Sequence, residues 1–177
     1  MEHRIYLITG LMASGKSTVA QLLAQRLEKA VHLRGDVFRR MIVSGREDMR
    51  ENPPDEAVDQ LYMRYQMTAD AAKSYYDHGF SVIIQDNYYG PALTHMLEFM
   101  GDYPVSVIVL CPNCETILKR EKAREKKGYA GFDIEPLYTA FMEETPRIGL
   151  WMDNSNLTPQ ETVEWVMDTI KENDDRR

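Results

Sequence analysis

The sequence predicts an α/β fold: a doubly wound, five-stranded parallel sheet with helices on both faces and a small helical lid. Two observations carry that expectation. Apolar runs of strand length, at residues 5–9, 31–33, 80–85, 105–110 and 148–152, alternate with helix-patterned segments, and strands separated by helices in turn build parallel sheets. The runs SVIIQ and VSVIVL are continuously apolar rather than alternating, as strands covered on both faces require. A chain of 177 residues can bury a real core. With no repeat or linker, it is expected to form one domain over 1–177, with the lid at about 115–135.

A composition of 44% hydrophobic and 28% charged residues excludes a disordered chain. The formal net charge of -7 argues against duplex nucleic acid as a partner, although a local cationic site remains compatible with it. No apolar stretch approaches the ~20 residues of a membrane helix. The opening MEHRIYLITG is too short and wrongly flanked for a signal peptide. A soluble cytoplasmic protein without a membrane partner is expected.

The first run leads directly into GLMASGKST, comprising Gly10, Leu11, Met12, Ala13, Ser14, Gly15, Lys16, Ser17 and Thr18. The spacing is that of a phosphate-binding loop, G-x-x-x-x-G-K-[ST]. Glycines let the backbone curl so that its N–H groups face phosphate oxygens, and the following helix adds its positive end. Lys16 is placed to reach the β- and γ-phosphates and Ser17 to ligate Mg²⁺. Leu11 and Met12 are bulky for such a loop but need offer only backbone N–H groups. The helix that follows carries Val19, Leu22, Leu23 and Leu27 on one face. The fold is therefore expected to be a P-loop NTPase.

The second run ends in RGDVFRR and the third in VIIQD. In a doubly wound sheet, ligands collect at the carboxyl ends of the strands. Parallel strands would then bring Asp36 and Asp86 to the same edge as Lys16. One carboxylate can accept a proton from an attacking hydroxyl while the other holds Mg²⁺, directly or through water. Asp36 is also expected to N-cap a helix beginning at Val37. Arg39, three residues on, would sit beside it and suits an anionic group on the acceptor. The bland alternatives are a simple cap for Asp36, a turn residue for Asp86 and a surface arginine for Arg39.

A long helix is expected after Pro53 and Pro54, ending at Gly79. Its tyrosines, Tyr62, Tyr65, Tyr75 and Tyr76, suit packing more than a pocket. Tyr88 and Tyr89, beside Asp86, are better placed to shape an acceptor site. After the fourth run, Cys111 and Cys114 form a C-x-x-C whose zinc and redox readings lack partners in the chain, so a structural pair at a strand-to-helix turn is expected. In LKREKAREKKGYAGFD, Arg120, Arg124 and Lys127 share a helical face ahead of Gly128 and Gly131. An arginine-bearing lid would neutralise transition-state charge and exclude water. A solvated mixed-charge helix is the alternative. Near the fifth run, Arg147 and DNSN could hold adenine, with Asn156 on the base. The last helix opens with Thr158, Pro159 and Glu161 as a capping box.

GLMASGKST, RGDVFRR, VIIQDNYYG and LKREKAREKKG together resemble the small P-loop kinases and phosphotransferases. These include shikimate and gluconate kinases, chloramphenicol phosphotransferase, zeta toxins and the 5′-kinase domain of phage-type polynucleotide kinase. The last resemblance implies Lys16 and Ser17 on phosphates and metal, Asp36 as general base and Arg39 on the acceptor. It also implies Asp86 at the acceptor or metal site and Arg124 on the transferring phosphoryl group. The tandem acidic pattern of shikimate kinases after strand two is absent, since Arg34 and Gly35 precede Asp36. The expected activity is transfer of the γ-phosphate of Mg-ATP to a hydroxyl of a metabolite, nucleoside or antibiotic. A polynucleotide kinase acting on a single-stranded 5′ end and a nucleotide-binding switch without acceptor are the other readings. ATP is preferred over GTP by this likeness. No Asn-Lys-x-Asp guanine-reading motif is present.

Overall fold

In the computed structural model, residues 3–125 and 132–175 are described. The strands are β1 (Ile5–Gly10), β2 (Ala30–Arg34), β3 (Ser81–Gln85), β4 (Val105–Leu110) and β5 (Leu150–Met152). They pair in the order β2-β3-β1-β4-β5, every neighbour parallel. β1 and β3 are buried along their whole length, which is why their runs are apolar without alternation. Each of the five expected runs overlaps a strand, with β1 and β2 extending past theirs, so the α/β P-loop fold is the one observed.

The helices are α1 (Lys16–Arg26), α2 (Asp36–Met41), α3 (Asp55–Asp77), α4 (Pro91–Met100), α5 (Cys114–Ala123), α6 (Ile134–Glu144) and α7 (Pro159–Asp175). Period-two alternation along β1 sends Ile5 and Leu7 to one face and Tyr6 and Ile8 to the other. The first face packs against Tyr65, Met96, Ile117 and Phe141 of α3 to α6. The second packs against Val19 and Leu23 of α1 and Val166 and Ile170 of α7. Burying Leu23 fully contributes roughly 1.5–3 kcal/mol. Leu22 and Leu27 are only half-buried, so the inner face of α1 is Val19, Ala20 and Leu23.

Several boundaries differ from expectation for physical reasons. β5 starts at Leu150, not at 148, because Gly149 has φ 77° and a β-carbon there would lie 2.3 Å from the Val107 oxygen. Asp36 is not a cap: Gly35 is the N-cap residue of α2, without a side-chain bond, and Asp36 is the first helical residue. α5 stops at Ala123 and Arg124 is extended, so Arg120 and Arg124 do not share one helical face. Lys127, Gly128 and Gly131 lie outside the described residues. The capping box of α7 does form, with Thr158 Oγ1 accepting from the Glu161 N–H at 3.2 Å and Glu161 Oε2 accepting from the Thr158 N–H at 2.7 Å. No helix among the described residues is long and apolar enough to cross a membrane.

Candidate active site

β1 lies between β3 and β4, so the chain winds away from it in both directions, and the loop leaving its carboxyl end falls at the switch point of the sheet. Gly10 takes φ 145°, and a β-carbon on it would lie 2.3 Å from the Leu110 oxygen. Ala13 is left-handed at φ 65° and Gly15 at φ 103°, which curls the loop into the start of α1. Leu11 is fully buried in the core, so its bulk anchors the loop from beneath. Lys16 is also buried, and its Nζ donates to the oxygens of Gly10 at 2.8 Å and Leu11 at 2.7 Å. Burial pulls its pKa down to about 7 against the opposing attraction of Asp86, with Arg124 adding to the depression.

The turns after β2 and β3 are fitted to one another. The Gly35 N–H donates to the Gln85 oxygen at 2.9 Å. The space beside Gly35 holds the Asp86 carboxylate, whose Oδ1 accepts from the Asn87 N–H at 2.8 Å. Burial pushes the Asp86 carboxyl above its ordinary range; the Asn87 bond, Lys16 and Arg64 oppose that shift, and Asp36 adds to it. Asp36 is paired with Arg40 and lies 3.7 Å from Arg34. Arg39 turns instead to Asp48, with Nε and Nη2 donating at 2.9 and 3.3 Å. Ser17 Oγ donates to Gln85 Oε1 at 3.3 Å, so a glutamine absent from the sequence-based site stands beside the hydroxyl.

Arg120 donates to the oxygens of Ser14 at 3.2 Å and Asn154 at 2.9 Å. Asn154 is buried, and its Nδ2 reaches the same Ser14 oxygen at 3.0 Å. Arg124 Nη1 pairs with Glu121 Oε2 at 3.0 Å. Asn156 is exposed. Arg147 stacks over Trp151 at 3.9 Å. The Tyr88 ring is fully buried against Tyr65, with centroids 4.8 Å apart. Tyr89 meets Phe141 edge-on at 6.2 Å. Cys111, just after β4, and Cys114, the first residue of α5, are free thiols, each with its pKa pushed up by burial.

A cavity of about 490 Å³ opens at this edge. Its wall includes Met12, Ala13 and Gly15 through Thr18 from the loop, both Asp36 and Asp86, and both Arg120 and Arg124. Arg34, Arg40, Gln85 and Asn87 complete it, whereas Arg39, Tyr88, Tyr89 and Asn156 stand off it. These four additions rest on contacts between distant turns, which residue spacing does not announce. The oxygen donors present, Ser17, Gln85 and Asp86, are the hard, sparse set that suits a hydrated Mg²⁺ sharing phosphate oxygens. Among the described residues, no group of three or more His, Cys, Asp or Glu forms an all-protein metal cage. A smaller hollow of about 250 Å³, by Arg4, Ser106 and Gly149, lies at the opposite ends of the strands.

No curated protein matches the sequence. Solved structures match across nearly the whole chain. The Deinococcus radiodurans tunicamycin resistance protein superposes with a TM-score of 0.70 at 17% identity, covering 95% of each chain. The APS kinase of Mycobacterium tuberculosis, in complex with AMPPNP and APS, gives 0.68 at 15%, covering 96% of this chain and 98% of that one. A gluconokinase from Sinorhizobium meliloti 1021 gives 0.62 at 14%, covering 92% and 88%. The likeness to small P-loop kinases carried by the sequence motifs thus recurs in three dimensions. A family model described as an AAA domain matches residues 5–136, and with three-quarters of its length accounted for, from the phosphate loop through the arginine-bearing α5, the chain belongs to that family.

Proposed function

We propose that the protein is an ATP-dependent phosphotransferase that moves the γ-phosphate of Mg-ATP to a hydroxyl of a small molecule. The observation that carries this reading is the shared wall of one cavity: Lys16, the carboxylates of Asp36 and Asp86, and the guanidinium groups of Arg120 and Arg124 all face it. One carboxylate can serve the metal while the other serves the attacking hydroxyl. The chain acts as one domain over 1–177, with segment 115–135 as its lid. The AMPPNP in the APS kinase neighbour supports ATP as donor.

In this reading the Lys16 Nζ leaves the loop carbonyls for the β- and γ-phosphate oxygens, and the loop N–H groups hold the chain of phosphates. Asp36 accepts the proton as the acceptor oxygen bonds to the γ-phosphorus and the bond to ADP breaks. Arg40 and Arg34 flank the Asp36 carboxylate and orient it. Arg120 braces the loop through Ser14, and Arg124 exchanges Glu121 for the transferring group as the lid closes. Mg²⁺, held by Ser17 with Gln85 and Asp86 around its waters, would neutralise charge on the phosphates.

A single-stranded 5′-hydroxyl end is the second reading, favoured by the two arginines flanking Asp36. ADP release from Mg-ATP is to be measured against sugars, hydroxy acids, nucleosides, antibiotics and a 5′-hydroxyl oligonucleotide, with Lys16→Ala as blank. A rise with one acceptor class is expected. A slow rate unchanged across the panel refutes the proposal.

A further inference from the structure

Gln85 closes β3, a strand buried along its whole length. The glutamine is 6% exposed, and its side chain forms part of the cavity wall. An amide at a buried strand position costs free energy unless it is bonded. Among the described residues its side chain makes one hydrogen bond, in which Oε1 accepts from Ser17 Oγ at 3.3 Å. Its main chain is fixed as well. The Gln85 oxygen accepts from the Gly35 N–H at 2.9 Å, and the residue is paired between Ile8 of β1 and Arg34 of β2. The acceptor atom is thus mounted on the interior of the sheet, facing a hydroxyl in the first turn of α1.

A serine hydroxyl has one proton and two lone pairs. It can give a lone pair to a cation only when its proton points elsewhere. Gln85 Oε1 carries no proton and can only accept, so it draws the Ser17 proton toward β3 and leaves the lone pairs for the cavity. At 3.3 Å the bond is longer than the roughly 2.5–3.0 Å usual between oxygens, so the hydroxyl is guided rather than locked. A cation on the oxygen makes its O–H a stronger donor, and the two contacts then reinforce one another. Many P-loop NTPases set a carboxylate at the metal beside the loop hydroxyl; here an amide faces that hydroxyl. Asp86, the next residue, is committed elsewhere: Oδ1 accepts from the Asn87 N–H at 2.8 Å, and the carboxylate fills the space beside Gly35. Among the described residues no group of three or more His, Cys, Asp or Glu could hold a metal alone. Phosphate oxygens must therefore supply much of the charge that attracts a divalent cation.

We propose that Gln85 is a positioning residue for the metal: its Oε1 holds the Ser17 proton so that the Ser17 oxygen can ligate Mg²⁺, and, being neutral, it admits the metal only together with the nucleotide phosphates. This deepens the kinase reading at its metal site and rests on it. Gln85 acts through Ser17 and not on the reacting atoms.

The test reads metal binding and needs no acceptor. Mn²⁺, in place of Mg²⁺, is titrated into protein alone and into protein saturated with ADP, and the free ion is followed by electron paramagnetic resonance. The parent should bind Mn²⁺ saturably with ADP and not without it. Gln85→Met keeps the length and removes the acceptor atom. It should weaken Mn²⁺ binding to the ADP complex by about 10–100-fold, the usual worth of a group that orients a metal ligand, with ADP affinity in EDTA unchanged. Ser17→Ala should lose as much, and the double variant no more than Ser17→Ala alone, because the pair acts as one unit. Gln85→Glu fills the same volume and keeps an acceptor, so the test survives a methionine variant that fails to fold; it should hold Mn²⁺ at least as tightly as the parent. Saturable Mn²⁺ binding by the parent without nucleotide overturns the proposal. So do parent-like Mn²⁺ binding by Gln85→Met, losses that add in the double variant, or a glutamate variant weaker than the parent. A Gln85→Met variant that loses ADP equally with and without metal assigns Gln85 to the shape of the loop and also overturns it. The two readings fail separately. Metal coupling without transfer to any hydroxyl refutes the kinase and keeps the role of Gln85, whereas transfer alongside parent-like Mn²⁺ binding by Gln85→Met refutes that role and keeps the kinase.

Discussion

A β-carbon on Gly35 would lie 2.0 Å from Oδ2 of Asp86. Gly35 takes ordinary helical dihedrals, φ -60° and ψ -24°, so the need for glycine is one of space and not of backbone strain. Gly35→Ala is therefore expected to displace the Asp86 carboxylate while leaving the phosphate loop intact. A misplacement of this size at a reacting centre costs up to about 10²-fold in rate, and overpacking costs typically ~1–3 kcal/mol in stability. Turnover measured beside Mg-ADP affinity checks it: a fall in kcat with unchanged nucleotide binding is the expected result, and full activity would show that the Asp86 position is immaterial.

Asp36 makes no side-chain capping bond, which separates its chemistry from its fold. Asp36→Asn keeps the shape of the residue and removes its basicity. Turnover should fall by about 10²–10⁴, the usual worth of a general base, with nucleotide affinity retained. The melting temperature should move little, because the lost ion pairs with Arg34 and Arg40 are partly exposed and weak on that account. Equal losses in binding and turnover would make Asp36 a structural residue.

Lys16 carries a signature that titration can read. Its pKa of about 7 in the free protein means that at pH 8 most of the population holds a neutral amine on the Gly10 and Leu11 carbonyls. Bound phosphate favours the ammonium. Mg-ADP binding at pH 8 should therefore take up a proton, seen as a binding enthalpy that varies with the ionisation enthalpy of the buffer. Lys16→Met should abolish that variation. The same shift has a stability consequence of definite sign. Between about pH 7 and the ordinary lysine value, the unfolded chain holds a proton that the folded one lacks, so this group makes the nucleotide-free protein more stable as pH rises through that window. Thermal melts of the parent and Lys16→Met over pH 7–9 should diverge accordingly.

The elements that were legible in the sequence are those set by local pattern. Strands β1, β3 and β4 read as apolar runs because both faces of the sheet are covered. The phosphate loop read as a spacing because its curl is completed within nine residues, Gly10 to Thr18. Arg39 and Arg40 are one position apart, and which of them meets Asp36 depends on where α2 begins and on Asp48 arriving from the following segment. Asn154 and Asn156 are equally plausible in DNSN; a contact across 140 residues, from Asn154 to the Ser14 oxygen, distinguishes them. Tyr88, two residues after the acid, is turned into the core, where it packs on Tyr65. Local spacing identifies side chains of the right chemistry, but only the meeting of separate turns decides which of them face the cavity.

Ser14 is where three parts of the site are joined. Its oxygen accepts from Asn154 Nδ2 at 3.0 Å and from Arg120 at 3.2 Å, and Arg120 also donates to the Asn154 oxygen at 2.9 Å. The phosphate loop, α5 and the turn after β5 thereby hold one another. Asn154→Ala removes the buried amide and leaves the Ser14 oxygen with Arg120 alone, which should cost about 1–3 kcal/mol of stability. The loop carbonyl is then free to shift, so the KM for ATP should rise more than kcat falls. Arg120→Lys keeps a charge but cannot reach two carbonyls in fork geometry, and it should show the same KM-weighted defect. If both variants instead lower kcat at constant KM, Arg120 acts on the transferring phosphoryl group directly and not through the loop that it braces.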